Sequence, residues 1–533
     1  MNRNYVAIVV GIISLGLFIF AANFVAPQTD YHHAKITNEE YNSIISSHKK
    51  ADDSILKDLK FNSQKVYYAE QDNTWYYSII EGNKDAYNPR INTNGNSKLR
   101  IAFKDYQNID EQTIASAKTL DFIAYNDDYY SEHKLAVTTL PIIAIDHEDE
   151  ILSDDDIEME FELFDNRKNA LKRITQTAGK IHIRGKSSAT FEKKSYRLNL
   201  RNKSPGEHDR NANEPLLGMR EDDDWILFAN YHDNEKIRQT LNSQLAKDSS
   251  GYGTENRFVE VINNSKYEGL YTLSTTIDAK TLSFQKDSDG NYIDYLFKKW
   301  HWGRLDTEQG DEAVDSYELK TEKISSDKDA WKTLRSYLKH TETEYDHEYA
   351  TTHTDIDSAI DHILLTELSA NIDSANGSPF IKNILYAIRH KDSDYIVSYI
   401  PWDFDISWGT GYIIDALDDT SYQVSPDSYI DYSPLTIGKL AENNEEIREK
   451  IKTRYQYLRQ NVWTDDYINN LLNSYQKDIF NSGAFKREKE RWPDGYYSHD
   501  ELDSIRTYIN KRLEYCDYWF ELREDEPEPL ETL

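Results

Sequence analysis

Cysteine is almost absent: the 533-residue chain has one, Cys516. That excludes an intrachain disulfide framework and any cysteine-rich zinc site. In the aromatic helical pattern RLEYCDYWF it reads as a core filler. Positive charge is scarce too, 62 Lys and Arg against 94 Asp and Glu, for a net charge of −32. A phosphate backbone is bound by clustered cations, so a nucleic-acid partner is excluded. The same surplus disfavours docking on anionic lipid and favours a basic protein partner. There is no internal repeat, and no His-rich ligand set of the kind a metal-dependent hydrolase would use.

Apolar residues are limited in run length except at the start, where Tyr5–Ala26 gives 22 nearly uninterrupted apolar positions. As a helix it spans roughly 33 Å, enough for a bilayer core. Phe24 and Pro27 make a poor cleavage context, so the stretch is expected to be an uncleaved anchor. Arg3 places residues 1–4 in the cytoplasm and the main domain outside it. Residues 27–135 read as a stalk and small leading region, 136–460 as the main domain, 461–522 as its helical extension and 523–533 as an acidic disordered tail. Tyr is abundant, at 39 residues, which suits amphipathic core and surface positions and, less specifically, sugar stacking.

Within the main domain, IEMEFELFD, GKIHIRG, KSYRLNL and DDWILFANY alternate as strands do. ENRFVEVINNSKYEGLYTL reads as a hairpin turning at Asn263–Asn264. TDIDSAIDHILLTELSAN has helical spacing, FIKNILYAI and DYIVSYIPWDFD are strands, and Leu435–Glu521 is mostly helical. This order predicts an α+β fold with two lobes and a helical C-terminal part behind a single transmembrane helix.

Three clusters could carry chemistry. In IHIRGKSSATFEKKSYRLNL, Arg184 and Gly185 end a strand, and the loop with Ser187 and Ser188 that follows could offer N–H groups and hydroxyls to phosphate oxygens. Lys194 lies on the strand face of Tyr196, Leu198 and Leu200, where an anion would be needed; a snorkelling or salt-bridged lysine is the plain alternative. In ELSANIDSANGSPFIKNILYAI, Asp373 follows a helix and Asn383 opens the next strand. A carboxylate that accepts a hydroxyl proton followed by an amide that ligates Mg²⁺ is a kinase arrangement; a turn or cap is the plain alternative. In YIPWDFDISWG, Asp403 and Asp405 share a face if the strand stays extended and could hold one hard cation. A solvated strand end or buried salt bridge would serve as well. Taken together, the clusters follow kinase order, with Asp403-Phe404-Asp405 where D-F-G would stand.

On these segments, with DDWILFANYHDNEKIRQTL, RFVEVINNSKYEGLYTL, FKREKERWP and INKRLEYCDYWF, the sequence resembles the CotH family, the spore-coat-protein-H-like atypical kinases, over roughly residues 136–520. The resemblance implies a kinase-like domain that binds ATP with Mg²⁺ or Mn²⁺ and phosphorylates Ser or Thr of a protein, with a basic, Ser-rich acceptor as the candidate. It implies Asp373 as the catalytic aspartate, Asn383 and Asp403 as metal ligands with Asp405 assisting, and Lys194 or Lys193 on a phosphate. Arg184, Ser187 and Ser188 match its phosphate loop, and Asp233 and Arg238 match a further motif. The chain departs at Leu273-Ser274-Thr275, where the family often reads L-T-E, and at Gln239, usually Asn. These departures leave open a catalytically weak or inactive surface-binding protein on the same fold.

Overall fold

The computed structural model describes residues 28–93, 98–105, 108–202, 210–301, 316–371, 373–374, 382–392, 394–410, 436–442 and 444–527. Residues 28–138 form a four-stranded and a seven-stranded sheet. Their core gathers Trp75, Tyr77, Phe103, Phe122 and Leu135.

Next comes a closed barrel of seven strands: β1 (Ile142–Asp146), β2 (Ile157–Phe164), β3 (Ile174–Arg184), β4 (Ser195–Arg201), β5 (Asp224–Phe228), β6 (Asn256–Asn263) and β7 (Lys266–Thr275). Their order is β1-β2-β3-β4-β5-β7-β6, and β1 pairs in parallel with β6 to close the ring. Alternation drives it. In β2, Met159, Phe161 and Leu163 point inward, and in β4 Tyr196, Leu198 and Leu200 do, meeting Ile181, Trp225, Val259 and Tyr271. Each large apolar side chain so buried contributes about 1.5–3 kcal/mol. The β6–β7 hairpin turns on Asn264 and Ser265, whose φ values of 45° and 60° are those of a two-residue type I′ turn. Tyr76 of the leading sheets stacks on Tyr267 of β7 at 4.7 Å, joining the two bodies.

The rest mixes helices with one more sheet. Helix α1 (Arg238–Ser250) lies between β5 and β6; β8 (Tyr295–Lys299), β9 (Tyr317–Leu319), β10 (Ile384–Lys391) and β11 (Asp394–Pro401) form a sheet in the order β9-β8-β10-β11. Helix α2 (Ile356–Ser369) precedes β10, while α3 (Glu445–Asn461), α4 (Asp465–Tyr475), α5 (Ala484–Arg491) and α6 (Asp503–Trp519) follow β11. Helix α2 is buried on nearly every side and sits in the main core with Leu241, Tyr386, Tyr399, Trp463 and Cys516.

The expected fold class is therefore corrected. The chain is a mixed α/β molecule with several sheets and a closed barrel, not a two-lobed α+β body with strands first and helices after. Single strands are legible from alternation, but closure depends on residues 142–145 pairing with 260–263, a long-range match that no local pattern encodes. No helix among the described residues is long and apolar enough to cross a membrane. The expected tail 1–4 and anchor 5–26, and positions 528–533 of the expected acidic tail, lie outside the described residues.

Candidate active site

Polar residues at the ends of α2, β10 and β11 converge beside the outer face of the barrel. Helix α2 ends on Ala370 in the left-handed region (φ 47°), and Arg512 of α6 donates to the carbonyls of Glu367 and Leu368. This fixes the point from which the chain departs toward Asp373. There Lys382 Nζ lies 2.6 Å from Asp373 Oδ1, and Asn383 Nδ2 donates to Asp373 Oδ2 at 2.7 Å. Asn383 also donates to the Asp403 carbonyl at 3.2 Å, so one amide ties the two segments together.

Asp403 does not continue the strand. Its φ is 62°, so the extended geometry expected to set Asp403 and Asp405 on a common face stops at Pro401. The two carboxyls interact nonetheless. Burial first, then the negative charges of Asp403, Asp373 and Asp233, push the Asp405 carboxyl well above the usual range. Like charges so gathered favour either a proton or a cation.

Helix α1 holds this turn in place. Phe404 N–H donates to Gln239 Oε1 at 3.0 Å, and Asn242 Nδ2 donates to Phe404 O at 2.8 Å and Ser407 Oγ at 2.9 Å. Trp408 Nε1 returns a bond to Asn242 Oδ1 at 3.0 Å. Arg238, fully buried, donates to Ser407 O at 2.8 Å while its guanidinium is paired with Asp233 and Glu235. Asp233 and Arg238 thus anchor residues 404–408. Gln239, where the family has Asn, still reaches the turn. The other departure, Thr275, is buried and accepts Glu255 N–H at 2.9 Å.

Across from the acids stands Trp402, with the Arg184 guanidinium carbon 5.8 Å and Lys298 Nζ 5.2 Å from its ring. Burial lowers the Arg184 pKa, with Asp403 opposing, and brings Lys298 down to about 8. Arg184, Ile226, Phe228, Gln239, Trp402 and Asp403 line a cleft here.

Of the residues singled out in the sequence, Asp373, Asn383, Asp403, Asp405 and Arg184 come to one neighbourhood. The two lysines do not join them. Lys194 Nζ donates to the carbonyls of Ala189 and Phe191 in its own loop. Lys193 is buried against Glu488 at 2.6 Å and donates to Ala229 O at 3.1 Å. Ser187 and Ser188 sit on a short helical turn, Ser187–Thr190, outside the cleft lining. The turn folds back so closely that a Cβ at Gly185 (φ 109°) would meet Ser188 Oγ at 2.1 Å.

Lys298, Lys382, Gln239 and Asn242 were not singled out as site residues. The only available signals were the adjacency of Lys382 to Asn383 and the Lys-Lys-Trp end of β8. Among the described residues no three His, Cys, Asp or Glu side chains form a ready-made metal cluster; the oxygens gathered here are two carboxyls of one turn, a third from Asp373 and an amide. A comparison with curated proteins gives no match. The family model described as CotH kinase protein matches residues 181–516, which spans the barrel from β3, the acidic turn and the helical end. With well over half of its length matched, the chain belongs to the CotH kinase family.

Proposed function

We propose that this protein transfers the γ-phosphate of ATP to a Ser or Thr hydroxyl of a protein substrate, using Mg²⁺ or Mn²⁺. One observation carries the reading. Asp373, Asn383, Asp403 and Asp405 meet at the ends of α2, β10 and β11, facing Arg184 across Trp402. The donor set suits a hard cation: oxygen ligands only, with mutual repulsion that a cation would relieve. Asn383 and Asp403, helped by Asp405, would hold it, and when bound it would neutralise charge on the nucleotide phosphates.

The chain's own residues do the rest. Asp373 is oriented at both oxygens, by Lys382 and by Asn383, so it is set to align the acceptor hydroxyl and take its proton. Lys382 also sets a positive charge against that carboxylate, beside the other acids of the turn. Arg184 contributes fixed positive charge in a site where the net charge of −32 would repel a nucleotide. The same surface charge favours a basic, Ser-rich acceptor.

The test uses ATP labelled at the γ-phosphate and a basic, Ser-rich protein. Wild type is expected to label it in Mg²⁺ or Mn²⁺, and Asp373→Asn to lose transfer by about 10²-fold or more. Asp373→Asn should keep the rise in melting temperature that ATP with Mn²⁺ produces, whereas Asp403→Asn should lose it. Full transfer by purified Asp373→Asn overturns the assignment.

A further inference from the structure

We propose that Lys298 is the lysine that binds a phosphate of the nucleotide, together with Arg184 and the Trp402 indole N–H, and that Lys194 is not. This rests on the reading of the site as a nucleotide site.

The placement comes from sheet register. Lys298 of β8 pairs with Leu385 of β10, one residue beyond Ile384, which itself pairs with Pro401 of β11. Asn383 and Trp402-Asp403 immediately adjoin those two ends, so Lys298 stands at the edge of the acidic turn on its barrel-facing side, beside Trp402. Arg184 reaches the same indole from the last residue of β3.

Three donors here lack an acceptor among the described residues. Neither Arg184 nor Lys298 has a hydrogen-bonded or ion-paired partner among the described residues, and Trp402 Nε1 is a buried donor with no partner. A cation withdrawn from water is costly unless it is compensated, and contact with an indole face returns only part of that cost. Glu318, paired across from Lys298 on β9, also attracts it, but its Oε1 already accepts from Lys320 at 2.9 Å. Asp403 attracts Lys298 without bonding to it.

Two cations against one indole, with Arg184 and Trp402 lining the cleft, suit a ligand with several anionic oxygens, and a polyphosphate supplies them. Burial has already weakened the Lys298 proton's hold, as expected of a lysine with no acceptor of its own. Lys194, by contrast, already bonds two loop carbonyls.

The experiment compares wild type, Lys298→Met, Lys298→Arg and Lys194→Met by titration calorimetry with ATP plus Mn²⁺ and, separately, with adenosine. A charged hydrogen bond worth about 1.5–3 kcal/mol predicts a 10- to 100-fold weaker Kd for ATP in Lys298→Met. Lys298→Arg should recover most of it, Lys194→Met should stay within about twofold, and adenosine affinity should be unchanged throughout. A structural role would move adenosine and ATP together in Lys298→Met, and that result overturns the inference. So does an unchanged ATP Kd in Lys298→Met, which leaves the nucleotide site itself intact. A wild type that binds neither compound overturns the reading of the site and this inference with it.

Discussion

At the scale of single residues, the site concentrates unusual backbone. Ala370, Asn383, Asp403 and Trp408 all have φ between 47° and 62°. Such conformations cost of order 1–3 kcal/mol each and persist only where the surroundings over-determine them. Here the determinants are Arg512 behind Ala370, the paired Asn383 and Asp373, and the Arg238–Asn242 anchor under 404–408. Arg238 is the most exposed to test. Arg238→Met leaves Asp233 and Glu235 buried without their counter-charge, which predicts a loss of about 3–5 kcal/mol, read as a lower midpoint in chemical denaturation. Arg238→Lys should recover only part, because a single ammonium cannot span both acids and Ser407 O. That Asp403 and Asp405 lie together was legible because carboxyls amid apolar neighbours need a reason, and that Asp373 and Asn383 do because they bound one helix-to-strand loop. Lys298 was not, since its one local signal, the Lys-Lys-Trp run, is too weak to separate it from the other 61 of 62 basic residues. The face shared by Asp403 and Asp405 was misread because one left-handed residue ends the alternation.

At the scale of elements, helix α5 is a clamp. Its sequence FKREKERWP reads as solvated charge, yet Arg487 and Glu488 are buried. Glu488 pairs with Lys193 and accepts Leu270 N–H at 2.8 Å, Arg487 pairs with Glu260 of β6 at 2.8 Å, and Arg491 donates to Tyr267 O at 2.7 Å. Three charged residues of this short helix therefore dock on β6, β7 and the segment leading into β4. The segment's place in the helical end was legible, but its partners were not, because they lie more than 200 residues away. Strand positions and the Asn264 turn could be read locally, since they obey a period of two and a turn preference. A double-mutant cycle tests the clamp. Lys193→Met and Glu488→Gln should each cost about 3–5 kcal/mol, because each strands a buried partner. The double variant should cost clearly less than their sum. Additive losses in thermal or urea unfolding would show that the pair is not coupled.

At the scale of the whole molecule, the leading sheets, the barrel and the helical end meet around a polar cavity. Glu81, Pro141, Asn166, Arg257, Tyr475 and Asp478 line it. Asp478 lies just after α4, half-buried, and its carboxyl is raised to about 6, chiefly by burial, with Glu81 adding to the shift and Lys477 and Arg257 opposing it. Arg167, also on the cavity wall, is held at 2.6 Å by Asp165. The sign follows from linkage. The unfolded carboxyl loses its proton near 3.8, the folded one only near 6. Between those values the folded state holds more proton, so stability falls as pH rises and stays lowered above about 6. Asp478→Asn removes the charge without removing the shape. It should therefore raise the melting temperature at pH 7.5 by a few degrees, with the gain holding down to about pH 6, then shrinking and vanishing near pH 4. The same change at an exposed control, Asp466 at the start of α4, should show no such trend. If the gain is flat across that range, Asp478 does not titrate against the packing of the three bodies, and the cavity is simply wet.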